Sequence, residues 1–477
     1  MAKQHIDLTD ERQSPLKVIL WLAWPLFLEQ ILSTLVSFAD TAMVGSLGAT
    51  ATASVSISNS FVFLLNGAVM ALGIGITAYV ARSVGAKDYE AAKAYIRHAL
   101  LLLVMVGLPI ALVPVILYRQ IPMWMGAGED FLATAQEYLL ITSVFRIFTM
   151  AMMVLGSVFR GRGDTKTPLR INIVVNLLNV VGNYLLIHKP HTLHITLGFL
   201  GIDWAIPMWG AGLGVVGAAL STGISWVLGG TALVVMLFAK KDPTQISLRD
   251  SYKPDMGIIR RVVKLSIPAM LERICMSLSG IVVTKSIATL GTAAVAANAV
   301  YSTAESLSFM PAFAFATAAT TLVGQSLGAQ KPQLAKRYAW NTVGVGVGVM
   351  LAAGLGLYFF ANPLVRIINS DPAVVTLAER CLRTVAFVQP IQVIAWILAG
   401  ALRGAGDTKW PFYITALGNW CIRALGAMLC IRVFHLGLPE AVICMCVDQA
   451  VRTVCMYLRF RTGKWMHAIK DKKAAAA

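Results

Sequence analysis

Apolar stretches of roughly 20 residues recur along almost the whole 477-residue chain, separated by short polar or glycine-bearing segments. About 20 helical residues cross ~30 Å of hydrocarbon, so each stretch reads as a membrane span. The pattern predicts twelve: 18–41, 54–81, 98–118, 133–158, 169–188 and 212–238, then 262–287, 295–323, 338–360, 382–402, 411–433 and 438–458. That is more apolar chain than one soluble core can bury, and the predicted class is an all-α polytopic membrane protein. The most polar stretch, 239–261, carries Asp242, Pro243, Arg249, Pro254 and Asp255 and separates six spans from six. The expected organisation is a tail over 1–17, an N-lobe over 18–238, the linker, a C-lobe over 262–459 and a tail over 460–477. The first span is not followed by a small-residue cleavage site, so it is expected to remain as a helix rather than be removed as a signal peptide.

The two halves repeat. Residues 160–168 read RGRGDTKTP and residues 403–411 read RGAGDTKWP, seven identities in nine at a shift of 243. The same shift carries Pro25 and Glu29 onto Pro268 and Glu272, Leu47 and Gly48 onto Leu290 and Gly291, Ser83, Gly85 and Ala86 onto Ser326, Gly328 and Ala329, and Asn176 onto Asn419. Internal symmetry of this kind signals duplicated architecture. An even number of spans per half sends both copies into the membrane in the same direction, as parallel repeats. Transporters built from repeats bind substrate near the bilayer midplane between them and alternate access by rocking one against the other. The glycines and aspartates of the repeated motif read as tight turns with helix-start caps rather than as a phosphate cradle, because no strand precedes them.

Charge sharpens this picture. The 40 Lys and Arg against 23 Asp and Glu leave a formal charge of +17, while charged residues make up only 13% of the chain. In a soluble domain such an excess would point to nucleic acid. Here most basic residues fall in 1–17, 82–97, 160–170, 240–264, 331–337, 403–409 and beyond 458, all on one predicted side. The opposite side holds Arg119, Lys189, Arg366, Arg380 and Arg432. The positive-inside rule then predicts cytoplasmic termini in a cell (inner) membrane, with the lipid bilayer rather than nucleic acid as partner. The seven cysteines lie mostly inside spans of the second half, without zinc or disulfide spacing. His191 and His194, in a loop over 189–211 read as an external interfacial hairpin, lack a metal-ligand pattern, so no metal site and no cofactor is expected.

An ionisable group inside a span costs about 2.5–3.5 kcal/mol on insertion scales and so needs a reason to be there. Asp40 and Glu29 share the first span, eleven residues apart, which is ~20° around the helix and ~16 Å along it. Both should face one interior. A carboxylate sheltered from water gains proton affinity, and a nearby cation or oxygen ligand changes it, which is the physical basis of a coupling site. Asn176, Asn179 and Asn183 follow i, i+3, i+7 spacing along one face of the fifth span, and Thr222 lies in the sixth. Glu272 repeats Glu29. Arg273, Lys285, Glu305, Arg423 and Asp448 also fall within or near spans, where opposite charges can pair. Lys285, near a helix end, is read as snorkelling. Met70, Phe309, Phe313 and Phe315 can supply an adaptable apolar wall.

PLFLEQ to SFADTAMVG in the first span, RG-x-GD-x-K in both halves, LLNVVGNYLLI in the fifth span and GAALSTGIS in the sixth together resemble the multidrug and toxic compound extrusion transporters over residues 17–460. The resemblance implies two pseudo-symmetric six-helix lobes around a central cavity and export driven by a proton or sodium gradient. It also implies that Asp40, Asn179, Asn183 and Thr222 form the N-lobe cation or proton site. Some branches carry an aspartate where this chain has Asn183, so one carboxylate remains in that group. The sodium-coupled branch carries an acid in the tenth span, where Gln392 stands here. The expected function is an antiporter of organic, cationic or amphipathic drug-like compounds, acting as a monomer. Glu29, Glu272, Asn176, Met70, Phe309 and Gln392 are the expected cavity residues. The alternatives are a lipid-linked glycan flippase, kept open by Arg273, Lys285 and Arg423, or an exporter of an anionic metabolite. A membrane enzyme would need a nucleophile and base or a metal cluster, and neither pattern is present.

Overall fold

The computed structural model describes residues 7–197 and 202–469, without the side chains of the 191–197 and 202–208 strands, of Leu64 or of Leu307. Ten described helices are long and apolar enough to cross a membrane, and two bent pairs, each taken as one, bring the candidate spans to twelve: α1 Pro15–Gly45, α2 Ala49–Gly85, α3 Tyr89–Ile116, α4 Leu132–Val144 with Arg146–Gly161, α5 Lys166–Ile187 and α6 Gly214–Ala239. The second set is α7 Met256–Ala288, α8 Thr292–Gly328, α9 Pro332–Phe359, α10 Pro372–Ala405, α11 Lys409–Arg432 and α12 Leu438–Arg461. An antiparallel hairpin, β1 His191–Leu197 and β2 Ile202–Met208, joins α5 to α6. It occupies the loop read as a hairpin from sequence.

Several helices depart from the smooth spans that hydropathy predicts. α4 bends by 49° at Phe145, and α8 by 46° between Ser306 and Ser308, three residues before Pro311. Pro311 has no N–H to donate to the preceding turn, which frees that turn to bend. α3 and α11 each contain a widened π turn, over Leu103–Gly107 and Gly418–Ala424. The linker is shorter than expected, because Asp255 accepts hydrogen bonds from the Gly257 and Ile258 N–H groups and starts α7 at Met256. Arg260 and Arg261, read as linker, are therefore helical. Charge marks the membrane boundary, whereas the cap marks the helix boundary.

The duplication reaches the backbone and the contacts. Gly48 and Gly291, Lys87 and Gln330, and Gly163 and Gly406 form three pairs of positive-φ residues, each separated by the same shift. Thr77 donates to the Ser157 carbonyl at 3.0 Å, and Thr320 to the Gly400 carbonyl at 2.9 Å. Glu29 lies 3.7 Å from Arg160, while Glu272 takes Arg403 on both carboxylate oxygens at 2.7 and 2.8 Å. Sequence reading aligned these acids and these arginines separately; packing joins them into one repeated ion pair.

The lobes interlock at the end of the bundle that carries the termini. Val18, Ile19, Leu22 and Leu26 of α1 are buried in a core made otherwise by α8, α9, α10 and α12. Reciprocally, Ile258 and Val262 of α7 are buried in the N-lobe core. Each lobe thus inserts the start of its first helix into the other. Between them, α2 and α8 meet backbone to backbone. A Cβ on Gly85 would lie 2.0 Å from the Gln325 carbonyl oxygen, and one on Gly328 would lie 2.0 Å from the Arg82 carbonyl oxygen. Only residues without side chains permit that approach. Thr321 and Gln325 add hydrogen bonds to the Arg160 and Gly161 carbonyls, both at 3.0 Å.

The turn glycines of the repeated motif are covered by the two tails. Gly163 and Gly406 take left-handed φ values of 83° and 91°. Leu8 packs on the first and Ile469 on the second, so two segments unrelated in sequence fill equivalent positions. Beside Gly163, Asp164 receives Lys240 and the Thr167 hydroxyl and backbone N–H. Burial would raise the proton affinity of Asp164, but the bonds from Lys240 and Thr167 outweigh it and hold its carboxyl below the usual carboxylate range.

Two outcomes follow from these contacts. Gly85→Ala should cost about 1–3 kcal/mol by forcing apart backbones that cannot yield, whereas Gly344→Ala, which meets nothing within 4 Å, should not; thermal unfolding of the purified protein compares them. Arg403→Met should destabilise by about 3–5 kcal/mol because it strands a buried carboxylate. The longer Arg160–Glu29 pair, at 3.7 Å, should lose less in Arg160→Met. Equal losses would mean that the two pairs are energetically equivalent despite their geometry.

Candidate functional site

Three turns separate Glu29 from Asp40 on α1, and three turns separate Asn172 from Asn183 on α5. The helices run parallel, so the same register is met twice. Asn172 donates to Glu29 Oε1 at 2.7 Å and Asn183 to Asp40 Oδ1 at 2.6 Å, each 143 residues apart in sequence. The shared face inferred from α1 geometry is therefore matched by a shared face on α5.

Around Asp40 the neighbours are neutral. With its amide turned to satisfy both sides, Asn179 donates to the two Asp40 oxygens at 2.9 and 3.3 Å and accepts from the Thr222 hydroxyl at 3.1 Å. Ser221 donates to the Asn179 backbone carbonyl at 2.9 Å, and α5 approaches α6 closely at Gly182, where a Cβ would meet Ser221 Oγ at 2.4 Å. Asn179 and Asn183 are buried. The Asn183 side-chain oxygen is also buried and has no hydrogen-bond partner. The structure thus brings Asp40, Asn179, Asn183 and Thr222 into one cluster that offers carboxylate, amide and hydroxyl oxygens.

Glu29 and Glu272 lie instead on a central cavity of about 440 Å³ lined by helices of both lobes. Met70, Ser157, Arg160, Phe313 and Arg403 share its wall. A second space of about 270 Å³ in the C-lobe adjoins it through Met276, Trp396, Gln449 and Arg452. Phe309 and Gln392 line this second space together with Glu305 and Arg423. Gln392 belongs to a chain of amides, accepting from Gln449 at 3.0 Å and donating to Gln389 at 2.6 Å. Asn176 differs from expectation. It is half-buried and is not among the residues lining either space; one turn earlier on the helix, Asn172 supplies the amide that reaches Glu29.

The charges set aside as possible pairs behave unequally. Asp448 is fully buried and shared by Arg452 at 2.5 Å and Arg423 at 3.2 Å. The wide turn of α11 carries Arg423, and Gly418 lets α11 approach Asp448 closely. Lys285 lies exposed in the last turn of α7, as a snorkelling lysine would. Sequence reading missed Arg160, Arg403 and Arg452 as cavity residues. The signal was available for the first two, since the 243 shift carries an acid onto an acid within predicted spans and an arginine onto an arginine just beyond the ends of predicted spans. Arg146 was missed as well; it is 1% exposed, with its guanidinium over the Trp226 ring at 5.7 Å.

Known proteins agree with this architecture. The MatE family profile matches residues 25–185 and 268–429, one match per lobe and starting 243 residues apart. A probable multidrug resistance protein NorM of Thermotoga maritima is 28% identical over 455 residues, covering 94% of this chain and 93% of that one. A solved MATE transporter in a bent conformation superposes with a TM-score of 0.84 at 22% identity, over 98% of both chains. A transporter of the MOP superfamily from Pyrococcus furiosus gives 0.85 at 22% identity, over 96% of this chain and 98% of that one. With a profile that fits both lobes and a fold shared over nearly the full length, the chain belongs to the MatE family of multidrug and toxic compound extrusion transporters.

Proposed function

We propose that this protein is a secondary active antiporter that exports amphipathic organic compounds across the cell membrane as a monomer, driven by a proton or sodium gradient. The observation that carries the reading is a central cavity shared by two lobes that interlock at the end carrying the tails. The basic residues cluster at that end, so the positive-inside rule makes it cytoplasmic and the structure corresponds to a state closed towards the cytoplasm. Alternation requires the α1 and α7 starts to withdraw from the opposite cores while the other end of the cavity closes.

Asp40 is the coupling group in this reading. Its partners are two amides and, through Asn179, a hydroxyl, so taking up a proton or a sodium ion leaves no guanidinium bare beside it. Oxygen donors of this kind suit a hard cation. Glu29, three turns away on the same face, lines the cavity and links the cluster to the substrate space through α1. A ligand shifts the two-state equilibrium only by its differential affinity for the two states. The parallel α1–α5 register supplies such a difference, because any slide of one helix changes both Asn183–Asp40 and Asn172–Glu29 together.

The reading is tested in proteoliposomes with sodium and pH gradients imposed separately. Wild-type protein should drive efflux under one of them, and Asp40→Asn should lose about tenfold or more of that gradient-driven rate, the factor of ~1.4 kcal/mol in a barrier. Undiminished efflux by Asp40→Asn under both gradients would remove Asp40 from the coupling role.

A further inference from the structure

Five arginines face the two joined spaces: Arg160, Arg273, Arg403, Arg423 and Arg452. Four carboxylates answer them. Glu29 takes Arg160, and Glu272 takes Arg403. Asp448 holds both Arg452 and Arg423, and Glu305 lies within electrostatic reach of Arg423. Arg273 is left over. Among the described residues it has no hydrogen bond and no ion pair within 4 Å; Glu272, whose two oxygens take Arg403, reaches it only electrostatically, against the like charge of Arg403.

An unmatched guanidinium in an apolar surround is costly, and a bound anion removes that cost, whereas a bound cation adds repulsion to it. The position of Arg273 is as informative as its charge. Its Cβ stands 3.8 Å from the place a Cβ on Gly67 of α2 would occupy, so it sits where α7 of one lobe meets α2 of the other, on the cavity they share. The cavity it lines mixes Met70, Met276, Phe313 and Trp396 with polar side chains such as Gln30 and Thr317. A guanidinium beside thioethers and rings suits a molecule with an apolar body and one carboxylate, sulfonate or phosphate.

We propose that Arg273 is the anchor for a single anionic group on an amphipathic substrate, so that this transporter selects organic anions in place of the cations its sequence leads one to expect. The inference rests on the exporter reading and names the substrate class of the same cavity. Because Arg273 belongs to α7 and faces α2, the anchor is present only while the lobes are approximated as here, and substrate binding is thereby linked to their relative position.

The test pairs two probes that share a ring and differ in charge, 2-naphthalenesulfonate and N,N,N-trimethyl-2-naphthylammonium, in equilibrium dialysis against the purified full-length protein. Wild-type protein should bind the sulfonate more tightly. Arg273→Gln should weaken sulfonate binding about tenfold or more, and Arg273→Lys should keep part of it, since the ammonium retains charge without the planar fork. Equal or tighter binding of the ammonium by wild-type protein overturns the proposal, as does unchanged sulfonate binding in Arg273→Gln. Should the glutamine variant fail to fold, the wild-type preference and the lysine variant still decide. A sulfonate preference that persists in dialysis without any gradient-driven efflux upholds the anchor and counts against the exporter reading alone.

Discussion

Hydrocarbon does not solvate charge, and an acid inside the bundle is costly until another group answers it. The molecule answers in two ways. Glu29, Glu272 and Asp448 are met by arginines. Asp40 is met by Asn179 and Asn183 alone, with Thr222 behind. These solutions differ in what they allow. Neutralising an acid already paired with arginine leaves a bare guanidinium, which makes such a pair structural. Neutralising an acid held by amides leaves only neutral dipoles that can reorient, which is why the proposed coupling role falls to Asp40.

The second organising feature is how little separates the lobes where they touch. Gly85 and Gly328 bring α2 and α8 into backbone contact, each against the carbonyl of the other helix. The contact is its own repeat, so the pseudo-twofold axis of the duplication passes between the two glycines. Packed backbones are bistable rather than elastic, and such a contact is either made or broken. The tails add to it from outside. Leu8 on Gly163 and Ile469 on Gly406 complete a layer that the duplicated lobes leave open at equivalent positions. Opening this end must lift both the reciprocal first helices and this cover.

The N-lobe and C-lobe share a plan and divide the labour. In the N-lobe the α1–α5 face carries the amide-held aspartate. At the position equivalent to Asp40 the C-lobe has Val283, and its polar chemistry moves to α11 and α12, where the wide turn over Gly418–Ala424 aims Arg423 at Asp448. Duplication supplied two frames, and the wide turn distinguishes the second by bringing Arg423 to Asp448. A π turn is a recurrent way to re-aim side chains without altering helix ends.

The succession of apolar spans, the duplication and the eleven-residue spacing of Glu29 and Asp40 were legible in the chain, because hydropathy, repeat and helical period are local properties. The grouping of Asn179, Asn183 and Thr222 with Asp40 entered through family resemblance, and packing brings the same four residues together. Pairing across helices belonged to the tertiary structure. An apolar span carries no label for its neighbour, so nothing in residues 169–188 says that Asn172 rather than Asn176 reaches Glu29. Nor does the turn motif announce that its arginines fold back onto the glutamates of the first and seventh spans. The break in α4 and the wide turns of α3 and α11 were likewise invisible, and Pro311 was the one local mark of the break in α8, since hydropathy measures how much apolar surface a helix offers and is blind to how its backbone bends when that surface meets another helix.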